Sequence, residues 1–465
     1  MRKVFSLVLL VAWRLCAVDT PEKTAWQVIA RALQAGDDQA ASALEMLGTI
    51  DDPTSRALIE ATLKGNDAIA IGRVVAGLTS AQCRSYLGEL ERVAGELELA
   101  PTGFRHFGVL EGIARAGTGP AARILVGIAT RAQQPEAGVA FGLLEQRMMT
   151  VAEPLLIETA LSSQSPWSRE TALSILRRAK SPSSLTAYQS ALHDPDEHVR
   201  AAAALGLAQL GNRDGEAVIG ALAKGDLNGP YQAEAAVGMV LLGKLGAIER
   251  LRLLVTSPDE AVRGRAVWAI ARSGSPVLKE FAYQMGLDRQ AIFRTMLAER
   301  LWDPSDPRDA SALLEMITNG DEMSQLIGAE RLTGTKLSAR AEPIIASALA
   351  SNSEAVRHLA LKIASGQLSL ENALAAQLEH GNDPAIQTAA LEAIAHLHQS
   401  ARYSQVVPYL ASESRSVSAA AARTLAALDK EAAVRLFVEG VDSNNVYARI
   451  HSAAMLLAIL THKGQ

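Results

Sequence analysis

One position recurs along most of the chain every 30 to 32 residues: Arg169, Arg200, Gln232, Arg263, Arg294, Gln325, Arg357, Gln387, Ser418 and Arg449. A fixed period of that length restricts the fold strongly, because it marks a stacked array of one repeated supersecondary unit. Columns in register with this anchor define the unit. Seven residues after it stand Leu176, Leu207, Met239, Ile270, Leu301, Leu332, Ala364, Ile394, Leu425 and Leu456, all apolar. Three residues after it the column is small: Ala172, Ala203, Ala235, Ala266, Gly328, Ala360, Ala390, Ala421 and Ser452, with Leu297 the exception. The two columns lie one turn apart on the same helix face. The small column lets a neighbouring helix approach closely, and the apolar column fills the seam.

The helix boundaries follow from local chemistry. Six residues before the anchor stand Ser163, Asp194, Asp226, Ser257, Asp288, Asn319, Ser351, Gly381, Ser412 and Ser443, all favoured N-cap types. Pro195 and Pro258 follow two of them, where a missing N–H costs nothing. Gly211, Gly243 and Gly274 are the expected C-terminal breaks. Nineteen residues after the anchor a second apolar column begins with Tyr188, Ile219, Leu251, Ala282 and Leu313. Each unit therefore reads as a helix–turn–helix pair. Residues 151–465 hold the regular units. Residues 18–150 hold four degenerate ones around Gln39, Arg73, Arg105 and Gly138, for about fourteen pairs. Only 4% of residues are aromatic, which suits helices docked through small side chains. The expected fold is all-α, a right-handed α–α superhelix whose pairs pack only on their immediate neighbours.

The first residues have a different character. Met1-Arg2-Lys3 is a positive start, and Val4 to Trp13 is an apolar run too short to span a bilayer. Residues 1–17 read as a signal peptide cleaved after Ala17, which places the mature chain in the periplasm or outside the cell. The alternatives are a retained membrane anchor and a lipoprotein carrying lipid on Cys16. No stable membrane span is expected after signal removal. Loss of Cys16 would leave Cys83 alone, a small buried hydrophobe in a chain with two cysteines. The net charge is −5 and no Lys/Arg run is present, so nucleic acid is not an expected partner.

The D-P-x-x-x-V-R pattern of Asp194–Arg200, with Pro258, Val262-Arg263 and Gly274, resembles the short HEAT-like repeats best known from phycobilisome lyases. The resemblance covers roughly residues 163–460. It implies Asp–Arg bonds within and between repeats; Asp194/Arg200 and Asp288/Arg294 keep both residues. It also implies that second helices line the concave side. One branch, deoxyhypusine hydroxylase, binds iron through His-Glu dipeptides, and this chain has none.

Chemistry-bearing constellations are sparse. His396 and His398, two apart, point away from each other and do not chelate one metal. Asp37-Asp38 and Asp51-Asp52 read as helix starts. No cofactor, metal or catalytic residue is expected. The local anomaly is aromatic: Trp268, Phe281, Tyr283, Phe293 and Trp302 fall close together, next to the Asp303–Asp309 connector. A bulkier core is one reading. The other is a contact patch of Tyr283, Trp302 and Phe281 flanked by Arg250 and Arg252. The functional expectation is an exported, non-catalytic scaffold or adaptor that binds protein or peptide along its concave face. The alternatives are an enzyme subunit with a site between repeats, or a structural component of an envelope assembly.

Overall fold

The computed structural model describes residues 20–35, 37–97, 107–131, 135–226, 229, 231–365, 367–379 and 383–461, and every regular element among them is a helix. The expected signal segment lies outside the described residues, as does Gly381. The chain forms an all-α superhelical array of helix pairs, divided into two compact units: Met1–Leu125 with Leu349–Gln465, and Val126–Ala348.

The first unit opens with α1 (Pro21–Ala35), α2 (Asp37–Met46), α3 (Pro53–Leu63), α4 (Ala68–Gly77), α5 (Ser80–Ser85), α6 (Leu87–Leu97), α7 (Phe107–Ala116) and α8 (Gly119–Ala129). The second unit follows with α9 (Pro135–Leu143), α10 (Met149–Ser162), α11 (Pro166–Arg178), α12 (Leu185–Ala191), α13 (Glu197–Gln209), α14 (Glu216–Ala223), α15 (Gln232–Leu241) and α16 (Ala247–Val255). It continues with α17 (Glu260–Ser273), α18 (Pro276–Gln284), α19 (Ala291–Arg300), α20 (Pro307–Asn319), α21 (Glu322–Leu332) and α22 (Ser338–Ala348). The first unit then resumes with α23 (Glu354–Ala364), α24 (Glu371–Ala376), α25 (Pro384–His396), α26 (Tyr403–Val406), α27 (Arg415–Leu428), α28 (Lys430–Gly440) and α29 (Val446–Thr461).

The small column is the docking seam. Its alanines and Leu297 are fully buried, and Gly328 lets α21 sit against Leu313, Met316 and Ile317 of α20. Met239 and Leu301 of the apolar column are only partly covered. Gly211, Gly243 and Gly274 end their helices at φ 73°, 81° and 66°, the left-handed region that favours glycine.

The cap register is corrected by two residues. The capping side chains are Ser165, Asp196, Asp259, Asp321 and Asp383, each accepting a backbone N–H of the first turn. Pro195 and Pro258 precede these caps. The residue two before the cap does something else. Ser163, Asp194, Ser257, Ser351, Ser412 and Ser443 accept the cap's own N–H on their side chains and fold the entry loop. The anchor arginine then reaches back to that residue's carbonyl. Arg169, Arg200, Arg263, Arg357 and Arg449 donate to the carbonyls of Ser163, Asp194, Ser257, Ser351 and Ser443 at 2.7–2.9 Å. The periodic arginine is therefore a loop clamp. Asp194 pairs with the preceding anchor, Arg169, at 2.7 Å through both oxygens, which holds its carboxyl below the usual range. Arg357 and Asp383 repeat the inter-repeat pair at 3.2 Å. Asp288 and Arg294 do not: Asp288 Oδ1 is buried without a partner among the described residues and Arg294 bonds the carbonyl of Arg289.

The expectation of strictly nearest-neighbour packing is corrected within the first unit. α1 and α2, at the start of the chain, pack against α29 at its end. Arg415 of α27 reaches Glu45 of α2 at 3.1 Å, and Glu45 also pairs with Arg73 of α4. With α1, α2, α27 and α28 around it, α29 buries eleven of its sixteen residues, which explains its unbroken apolar run. Where α2 meets α4, a side chain on Gly77 would collide with the Glu45 carbonyl, so the crossing requires glycine.

Candidate binding cleft on the first-helix face

In the second unit the two helices of a pair are not equivalent. α13 buries nine of thirteen residues and α14 one of eight, so the first helices form the inner layer. Their curvature shows in hydrogen bonds that skip a repeat. Gln209 Nε2 donates to the Ser273 carbonyl at 3.3 Å, and the Tyr231 hydroxyl donates to Glu170 Oε1 at 2.9 Å. First helices therefore line the concave side of this unit, which corrects the expectation that second helices do.

On this side lies a cleft of about 180 Å³ between the C-terminal ends of α11, α13, α15 and α17. Leu205, Val237 and Leu241 form apolar wall, and Arg177, Arg178, Lys180 and Arg272 bring four cations against one acid, Glu234. Aromatic faces hold several of the cations. Arg178 lies over Phe141 at 4.5 Å, and Arg272 and Arg300 lie over Trp268 at 5.7 and 5.8 Å. Such stacking fixes a guanidinium without neutralising it. Burial, reinforced by Arg178 and Arg177, pulls the Arg272 pKa down to about 10. Burial also lowers Arg178, against the nearby Glu145 carboxylate and with Arg177 and Arg300 adding to the effect. Arg177 Nε and Glu234 Oε2 are buried without hydrogen-bond partners among the described residues.

A cluster of like charge held in place by the surrounding packing opposes folding. Arg272→Gln is therefore expected to stabilise the protein by about 0.5–1 kcal/mol, as a relieved functional strain does. A lowered melting temperature for this variant would show that the cluster contributes to the core.

Next to the cleft, Tyr231 joins α11 to α13. Its proton goes to Glu170, so His198 Nδ1, 3.3 Å from the Tyr231 oxygen, is the donor in that contact. Burial, then the Glu170 carboxylate, pushes the Tyr231 hydroxyl well above its ordinary pKa.

The aromatic patch expected from sequence is placed differently. Trp302 is 2% exposed and Phe281 3%, so neither offers surface to a partner; both are core. Tyr283 is partly covered and fully engaged. Its ring stacks on Trp302 at 6.1 Å with 7° between planes, and Arg308 lies 3.7 Å above it. Its hydroxyl donates to the buried Asp309 at 2.7 Å. Arg250 donates to Gln232 Oε1 at 2.8 Å and to the Gly225 carbonyl. Arg252 stays exposed, beside Glu249 at 3.3 Å. The five residues therefore do not converge on one free surface. Tyr283→Ala is expected to cost about 2 kcal/mol of stability, through lost stacking and an unpaired Asp309 oxygen. Unchanged melting in that variant would restore the contact reading for Tyr283.

Other candidates resolve simply. His396 ends α25 and lies 3.6 Å from Glu371, while His398 has a φ of 48° in the following turn. No group of three His, Cys, Asp or Glu among the described residues is placed to hold a metal. Cys83 is buried, which pushes its thiol pKa up and keeps it protonated. Asp52 caps α3 by accepting from Ser55 at 2.7 Å.

The cationic cleft was open to discovery in the sequence. Nine residues after the anchor the column reads Arg178, Gln209, Leu241, Arg272, and five after it Leu205, Val237, Trp268. These positions share a helix face one turn apart. Arg178, Arg272 and Trp268, on columns where neighbouring repeats place Leu205, Val237 and Leu241, were the available signal.

The architecture is that of the helical repeat proteins. Within that class, residues 153–239 match the model of the HEAT repeats. No curated protein matches it. Among solved structures, Kap121p is similar at 11% identity and a TM-score of 0.35, over 93% of this chain and 58% of that one. The karyopherin Kap121p bound to the SUMO protease Ulp1p is similar at 10% identity and a TM-score of 0.38, over 99% and 66%. This chain thus spans less than two thirds of the length of those proteins. Among the described residues no helix is long and apolar enough to cross a membrane.

Proposed function

We propose that this protein is an exported, non-catalytic scaffold or adaptor that holds a protein or peptide partner against the first-helix face of its second unit. The observation that carries this reading is the cleft beside Trp268, a concave site with an excess of three positive charges in its lining. Arginine and tryptophan are the side chains that most often dominate binding energy at interfaces. Export rests on the Met1–Ala17 pattern alone.

The test is capture from the native compartment with Arg178→Glu/Arg272→Glu, compared with Leu245→Glu/Leu253→Glu on the exposed outer layer. Loss of the captured partner with the first pair and retention with the second is the expected result. Retention with both pairs would reject this face as the contact surface.

A further inference from the structure

We propose that the cleft bounded by Arg177, Arg178, Arg272 and Trp268 is a binding site for a phosphate monoester dianion. The inference rests on the scaffold reading and gives it a ligand chemistry.

Charge is the first argument. Arg177, Arg178, Lys180 and Arg272 line the cleft with Glu234, and beside it Glu145 near Arg178 and Arg300 over Trp268 add one charge of each sign, so the surplus of three cations stands. A single carboxylate would leave a surplus of two cations in a partly desolvated space. A phosphoryl group brings about −1.5 to −2 and three strong acceptor oxygens. Donor supply is the second. Arg178 and Arg272 are held by the faces of Phe141 and Trp268, contacts that use none of their N–H donors. Arg177 Nε is already buried and lacks an acceptor. An oxyanion in the cleft supplies one, and planar guanidinium forks match phosphate oxygens in pairs. Size is the third. A space of about 180 Å³ between four helices admits a phosphoryl group and leaves room for its stem. Bound dianion also offsets the burial, and the repulsion from Arg178 and Arg177, that depress Arg272.

The shared chemistry has two sources, a phosphorylated side chain of a protein partner or a free small phosphate ester. Calorimetric titration of the full chain at constant ionic strength separates them, with O-phosphoserine, a phosphoserine peptide, its unphosphorylated form and acetate as probes. Saturable binding of O-phosphoserine is expected, at least about tenfold tighter than acetate. It should weaken as the pH falls below about 6, where the ligand takes up its second proton. Arg272→Gln and Arg178→Gln should each reduce affinity by about tenfold or more with the helical signal intact. A phosphopeptide that binds tenfold tighter than the free amino acid assigns the site to a protein partner. Equal affinities assign it to a small ester. Binding no stronger than acetate, or full affinity in folded Arg272→Gln, overturns the proposal. If partner capture still depends on Arg178 and Arg272 in that case, the scaffold reading survives. Capture indifferent to both would remove that reading instead.

Discussion

Asp309→Ala is expected to lower the unfolding free energy by about 3–5 kcal/mol, the range for breaking a buried charge pair. Asp309 is fully buried in the first turn of α20. Its Oδ1 accepts from the Tyr283 hydroxyl at 2.7 Å, and its Oδ2 accepts from Lys279 Nζ at 2.8 Å and from the Asp303 N–H at 2.9 Å. Alanine removes an acceptor that three donors share. Lys279 keeps Asp306 at 2.9 Å, but Tyr283 and the Asp303 amide lose their acceptor. The stack of Tyr283 on Trp302 loses its anchor with them. Asp309→Asn should fall between wild type and alanine, because its amide retains one acceptor oxygen and turns the other position into a donor. Denaturant titration checks the order; a loss below about 1 kcal/mol for Asp309→Ala would mean that water replaces the carboxylate at little cost.

The second large effect is a loss of stability in acid centred on His451. This side chain is buried on α29 and stacks on Tyr447. Ser418 spends its proton on the Leu410 carbonyl at 2.6 Å, so His451 Nδ1, 2.8 Å from Ser418 Oγ, must be the protonated nitrogen. Nε2 then carries a buried lone pair with no partner among the described residues. Burial, with Arg423 and Arg415 of α27 adding repulsion, lowers the pKa from 6.5 to about 3. Because the folded pKa is depressed, the unfolded chain binds the extra proton between those values. Stability is therefore full above about pH 6.5 and declines as pH falls toward 3, by up to about 5 kcal/mol at ~1.4 kcal/mol per pH step. His451→Asn retains a donor for Ser418 and should remove about one proton from the pH dependence of unfolding between pH 4 and 6. An unchanged slope in His451→Asn would place the titrating group elsewhere.

The period, the helix pairs and the small docking column were legible because each repeats ten times and reflects one physical need, close approach of neighbouring helices. The cap position was read two residues early because Ser and Asp serve both the entry loop and the N-cap. Asp194 and Asp196 are alike in chemistry, and only the hydrogen bonds separate their roles. The packing of α1 and α2 on α29 leaves no periodic trace, since it joins segments more than 400 residues apart through ordinary apolar side chains. The candidate site was missed for a related reason. Aromatic residues drew attention to Tyr283 and Trp302, yet large rings are as useful to a core as to a surface. The arginines near Trp268 lie on different repeats, so their convergence depends on the curvature of the first-helix layer.

The most direct measurement places a photo-crosslinking residue at Leu241, on the wall of the cleft, and in parallel at Leu253, 55% exposed on the second helix α16. Irradiation in cells that make the protein should give a partner adduct from position 241 that disappears with Arg178→Glu/Arg272→Glu, and none from position 253. Adducts from 253 without any from 241 would contradict the assignment of the first-helix face as the working surface.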